Sequence, residues 1–166
     1  MKKALLLFAL MWNVDKEENL KHVEKILEKT FGKKILETEP FSLEYSSYYQ
    51  KEMGERLLKK FVAFDCFVEK NSLIDLKHFS MKLEDKFREN GGRTVNIDPI
   101  YLDEYQVVVT SSKDKGSRIY LGKGVYAELE LLYHHGSFQP LIWTYLDYKN
   151  HTDFFNRVRK YYLRYV

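Results

Sequence analysis

The chain has 166 residues, 45% of them hydrophobic, enough for one domain whose core needs neither disulfides nor metal to hold it. Lys and Arg number 27 against 24 Asp and Glu, and the net charge of +3 is too small to argue by itself for a nucleic-acid partner. A single cysteine, Cys66, excludes an internal disulfide framework and a cysteine-rich zinc site, and no apolar run reaches the roughly 18 residues of a membrane-spanning helix.

The start, MKKALLLFALMW, sets two lysines before an apolar run, as a secretory signal does. Asn13-Val14-Asp15 and a charged helix follow where a small-residue cleavage pattern would stand, so Ala4 to Trp12 reads as a strand covered on both faces. Asp15 and Glu18 then open a helix in which Leu20, Val23, Leu27 and Phe31 recur at helical spacing until Gly32. A second strand is expected from Lys33 to Glu39. From Pro40 to Lys60 the pattern begins as loop or edge strand and ends as a short helical stretch near Lys51 to Lys59.

The pattern then repeats. KFVAFDCFV, with Cys66 as a small core residue, reads as a buried strand; Ser72 and Asp75 can cap a helix with Leu76, Phe79, Leu83 and Phe87 on one side; Gly91-Gly92 ends it and RTVNID follows as a strand. Beyond Asp103 the period falls to two, with strands at YQVVVTSS, SRIYLG and VYAELELLYHHG. The closing segment, Thr152 to Tyr165, is an amphipathic helix with Phe154, Phe155, Val158, Tyr161, Tyr162 and Tyr165 inward. The predicted fold is α+β: an antiparallel or partly mixed sheet with a ferredoxin-like split βαβ core, a C-terminal β-hairpin extension and a C-terminal helix, in one domain over residues 1–166.

Gly122-Lys123-Gly124 raises the question of a phosphate-cradling loop. A Walker loop and a dinucleotide fingerprint both need a helix after the glycines, whereas Val125, Ala127, Leu129 and Leu131 alternate as a strand, so a hairpin turn is favoured. A three-residue loop would set Leu121 opposite Val125, Ile119 opposite Ala127, Tyr120 opposite Tyr126 and Arg118 opposite Glu128. The last four then form either a cross-strand ion pair with an aromatic pair or a face on which Arg118 receives an anion and the tyrosines stack.

Lys113, Lys115, Arg118 and Lys123 fall within eleven residues against Asp114 alone, so they form either a solvated loop or a phosphate-holding cluster beside the tyrosines. Asp65, on a strand face with Phe61, Ala63 and Phe67, must be bonded, exposed or functional, because an unpaired buried carboxylate is costly. Asp98 is held extended by Pro99 and stands as a further candidate. His134 and His135 are adjacent strand residues pointing to opposite faces, and no His, Cys or carboxylate spacing names a metal site. No cofactor is predicted either. Lys and Glu total 35 residues against 3 Gln, a balance that leans toward a heat-adapted source.

YYQKEMG at 48–54, NIDPIYL at 96–102, RIYLGKGVYAE at 118–128 and WTYLDY at 143–148 before FFNRVR together resemble an uncharacterised prokaryotic family, domain of unknown function four-four-one-six. Ile100 and Leu146 stand where that family more usually has Gly and Pro. The resemblance implies no activity, cofactor or catalytic residue. The residues themselves favour a cytoplasmic binding or regulatory module for an anionic ligand, nucleic acid or phosphate-bearing small molecule, held by Lys113, Lys115, Arg118, Tyr120, Lys123, Tyr126 and Glu128. Two alternatives stay open: a small enzyme using Arg118, Tyr126 and Glu128 with Asp98 or Asp65, and a homo-oligomeric assembly protein.

Overall fold

The computed structural model of the chain describes residues 2–42 and 47–166. Strand β1 (Ala4–Asn13) leads through a short 3-10 turn, where the Asn13 side chain accepts from the Asp15 amide, into helix α1 (Glu17–Phe31) and strand β2 (Lys34–Glu37). A two-residue strand β3 (Phe41–Ser42), helix α2 (Ser47–Met53), strand β4 (Leu57–Val68), helix α3 (Leu73–Lys86) and strand β5 (Val95–Leu102) complete the first half. The second half runs β6 (Gln106–Ser111), β7 (Ile119–Gly122), β8 (Val125–His134), β9 (Ser137–Pro140), a short helix α4 (Leu146–Lys149) and α5 (Thr152–Leu163).

These strands form one nine-stranded sheet in the order β2-β4-β1-β5-β6-β8-β7, with β3 on β4, β9 on β8, and every pair antiparallel. The first four in that order, with α1 and α3 as connections, make a split βαβ arrangement: β4 lies between β1 and β2. The apolar run of β1 is buried on both sides because it sits in the middle of this unit. Its alternate residues serve two cores. Leu6, Phe8, Leu10 and Trp12 meet Leu20, Val23 and Leu27 of α1 and Leu76 and Leu83 of α3, while Leu5, Leu7 and Ala9 face Phe154, Phe155, Val158 and Tyr162 of α5. Two helices thus cover one face and the C-terminal helix the other. Among the described residues no helix is long and apolar enough to cross a membrane.

Three local expectations need correction. The helical stretch expected over Lys51 to Lys59 stops at Met53, because Gly54 turns the chain at a φ of +90° and a Cβ there would sit 2.5 Å from Asn13 Nδ2. Lys59 and Lys60 therefore belong to β4, while part of the expected loop falls on residues 43–46, outside the described residues. Ser72 does stand at the start of α3, but its hydroxyl donates to the Glu69 carbonyl and caps nothing. Tyr165 lies beyond α5 and is exposed, since the apolar stripe closes at Tyr162.

Phe155 is fully buried, with its ring 5.0 Å from Phe61 and 5.7 Å from Tyr148 between centroids. Phe155→Ala should cost about 3–5 kcal/mol, read as a lower urea midpoint with an unchanged m-value.

Candidate functional site

The ladder between β5 and β6 covers only Ile100, Tyr101 and Leu102 against Val109, Val108 and Val107, although β5 itself pairs with β1 as far as Val95. Pro99 is the reason. It has no N–H to give β6, and its carbonyl is taken by the Thr110 hydroxyl at 3.0 Å. One step further along the same edge, the Ile97 amide donates to the Glu84 carboxylate of α3 at 2.7 Å. The two strands part there, leaving a cleft of about 520 Å³ lined from both faces of the sheet, with Lys77 of α3 and Asp147 and Tyr148 of α4 among its walls. That volume lies in the roughly 300–1,000 Å³ range of small-molecule sites.

The floor is made of cations already matched to carboxylates. Lys59 of β4 pairs with Asp147, and both are nearly buried. Lys77 donates to Asp98 Oδ1 at 2.9 Å, and Asn96 donates to Asp98 Oδ2 at 3.1 Å. Arg93 grips Glu52 of α2 through Nε and Nη2, both at 2.9 Å, and turns Nη1 to Asn96. Burial would push Asp98 up, but Lys77 and Lys59 outweigh it and hold the carboxyl below its ordinary range. Burial would likewise lower Lys59, and Asp147 with Asp98 keeps it raised. Glu84, behind the floor, is pushed up to about 7 by burial.

The mouth differs. Lys113 and Lys115, in the loop after β6, are exposed and have no carboxylate partner among the described residues. Lys113 Nζ sits 3.7 Å above the Tyr48 ring, and Lys115 Nζ 4.9 Å from the Tyr145 ring centre. Partial burial and the Arg118 charge hold the Lys113 pKa below its ordinary value. Lys115 Nζ and Arg118 Nη2 both donate to the Tyr145 hydroxyl at 2.9 Å. Neither cation can accept a hydrogen bond, so the Tyr145 proton is left to point elsewhere.

The hairpin beside the mouth is tighter than the expected three-residue loop. Lys123 and Gly124 alone form the turn, with φ of +51° and +77°, and Gly122 faces Val125. Leu121 is an extra residue in a bulge, which returns Ile119 to Ala127 and Tyr120 to Tyr126. Arg118 Nε does approach Glu128 Oε2, at 3.5 Å, but that pair is buried while Ile119, Tyr120 and Leu121 are exposed. The contact of Tyr120 with Tyr126, 5.1 Å between centroids with the rings tilted by 51°, lies outside the cleft lining. So does Lys123, whose carbonyl is 3.0 Å from His78 Nε2 on α3. Asp65 is exposed on β4 and accepts from the Tyr161 hydroxyl at 2.9 Å. Of the nine residues singled out in the sequence, the cleft collects Lys113, Lys115, Arg118 and Asp98, and it leaves Tyr120, Lys123, Tyr126, Glu128 and Asp65 outside.

Glu128 is not alone. Glu130, two positions further along β8 and so on the same side of the sheet, is the extra residue of a bulge opposite Val107 and Val108. Glu128 Oε1 and Glu130 Oε1 are both buried with no donor from other groups among the described residues. A proton kept on Glu130 satisfies both, and burial together with the bond to Glu128 and its charge pushes the Glu130 carboxyl up to about 9.

Sequence reasoning missed Lys59, Lys77, Arg93, Asn96, Asp147, Tyr48, Tyr49 and Tyr145. Some signals were present: Lys59-Lys60 interrupts an apolar strand, and Asn96 and Asp98 share one face of another. Nothing local ties either to Tyr145.

An α+β protein with a cation-lined cleft at a strand opening is the class that fold and geometry define. The chain belongs to the family described as domain of unknown function DUF4416, which it matches over residues 2–162. No curated protein and no solved structure matches it.

Two outcomes test this geometry. Lys59→Met strands the buried Asp147 carboxylate and should cost about 3–5 kcal/mol in chemical unfolding, most of it recovered in Lys59→Met/Asp147→Leu. Glu130 is protonated in both states well below pH 4.5, its ordinary value; between there and about 9 the folded protein keeps a proton that the unfolded chain releases. Stability should therefore fall as pH rises through that window, and Glu130→Gln should flatten the slope by about one proton.

Proposed function

We propose that the cleft binds a phosphate-bearing small molecule, making the protein a binding or regulatory module. The observation that carries this reading is the contrast between mouth and floor: Lys113 and Lys115 stand at the rim of a partly open cleft without carboxylate partners among the described residues, beside Arg118 and the Tyr145 hydroxyl. An anion placed there gains charge-assisted hydrogen bonds without first breaking an ion pair. A cleft of about 520 Å³ favours a small ligand over nucleic acid, which would need a basic groove tracking many phosphates.

The catalytic reading built on Arg118, Tyr126 and Glu128 has less to stand on, since only Arg118 lines the cleft. The assembly reading rested on the aromatic C-terminal half, and Phe138, Tyr148, Phe155 and Tyr162 are spent on the core.

Calorimetry at low salt should show binding of inorganic phosphate that weakens as salt is added and falls about tenfold or more in Lys113→Ala/Lys115→Ala. Absence of binding at low salt, or binding indifferent to both lysines, overturns the reading. Binding of single-stranded RNA without binding of phosphate supports the nucleic-acid alternative in its place.

A further inference from the structure

The cleft has two chemically different ends, and the difference names the ligand more closely; this step rests on the binding reading above. At the floor, Lys59 is committed to Asp147, Lys77 to Asp98, and Arg93 to Glu52. A second anion gains little there, because it would compete with carboxylates already in place and lose its own hydration. The floor nevertheless keeps unused acceptor capacity. A carboxylate offers about four lone-pair sites, and on Asp98 one is used on Oδ1 by Lys77 and one on Oδ2 by Asn96. Its side chain retains 22% of its exposure, more than Lys77 at 5% or Asp147 at 6%. The cations around Asp98 hold it ionised, so what it can take from a ligand is a hydroxyl or amine proton.

We infer that the ligand is a phosphate monoester of a small hydroxylated body, such as a phosphorylated sugar, with its phosphate at Lys113 and Lys115, unpaired among the described residues, beside Arg118, and its hydroxyls donating to Asp98. The orientation follows from charge: the phosphate stays at the half-exposed rim, and the neutral part enters the region where every cation is balanced. Asp98 is then a specificity residue. It rejects bodies with no donor, since an apolar group against it would bury an ionised carboxylate with two lone pairs unsatisfied.

The test compares four probes by calorimetry on the unmodified protein: inorganic phosphate, ribose, ribose 5-phosphate and cyclopentylmethyl phosphate, which matches the third in size but has no hydroxyls. Ribose 5-phosphate should bind about tenfold or more tightly than cyclopentylmethyl phosphate, the effect of a hydrogen bond to a charged acceptor. Asp98→Asn should shrink that ratio from both sides, weakening ribose 5-phosphate and tightening cyclopentylmethyl phosphate, whose apolar ring no longer buries a charge. Lys113→Ala/Lys115→Ala should weaken both esters by the same factor and keep the ratio. Equal affinity of the two esters for the unmodified protein overturns this inference and leaves phosphate binding standing. Failure of every phosphate probe overturns both. Because the decisive comparison is made on the unmodified protein, it holds even if Asp98→Asn, which weakens the partner of buried Lys77, fails to fold.

Discussion

The missing amide proton of Pro99 is the constraint on which the site depends. A strand that kept this donor could continue its ladder with β6 down to Val95, and the sheet would close. Instead pairing ends at Ile100, and the edge beyond it is satisfied from elsewhere: the Pro99 carbonyl by Thr110, the Ile97 amide by Glu84. Both substitutes are side chains. They meet the requirement that buried backbone groups be bonded, yet they leave space that a partner strand would have filled. Through that space Lys77 reaches Asp98, and the helix on one face of the sheet shares a cavity with the turn on the other.

A polar cleft in the middle of a sheet is expensive to keep, and the way the charges are matched shows how the cost is limited. Each nearly buried cation of the floor has a carboxylate beside it, and each pair has a further hydrogen bond: Asn96 donates to Asp98, the Tyr148 amide to Asp147, and Arg93 to the Asn96 side-chain oxygen. Such pairs add little to stability against an apolar replacement, but losing one member leaves an uncompensated charge. They act chiefly by holding the floor in one arrangement. The rim obeys a different rule. There, lysines lie on tyrosine faces in contact with solvent, an attraction of about 0.5–1 kcal/mol that an arriving anion can readily outcompete.

Glu128 and Glu130 show the same economy on a smaller scale. Alternation along β8 sets a second carboxyl, Glu130, beside Glu128 and its partner Arg118, and one retained proton stands in for a second cation. The turn over this edge is held to the bulge by Thr144, whose hydroxyl donates to the Glu130 carbonyl at 2.6 Å, and by the Tyr145 amide, 3.3 Å from Glu130 Oε2. That turn carries Tyr145 to the mouth, so a bulge in one strand positions the hydroxyl on which Lys115 and Arg118 converge.

Sequence alone determined the elements whose signal is periodic and local. The apolar run of β1, the stripes on α1 and α3 and the buried face of α5 are written at intervals of two or three to four residues, and the repeated strand-helix-strand pattern pointed to a split βαβ arrangement, while the strand order came from the tertiary structure. It also carried the basic segment at Lys113, Lys115 and Arg118, because these side chains lie in one loop. The turn of the hairpin was misjudged by one residue, since a bulge at Leu121 and a longer loop bring the same tyrosines together. Only the tertiary structure decided that the site is a cleft and not a hairpin face. Its floor joins Lys59, Lys77, Asp98 and Asp147, residues that lie 12 or more positions apart in the chain. Their meeting depends on where a sheet opens and how two layers pack against it, which no local spacing of residue types encodes.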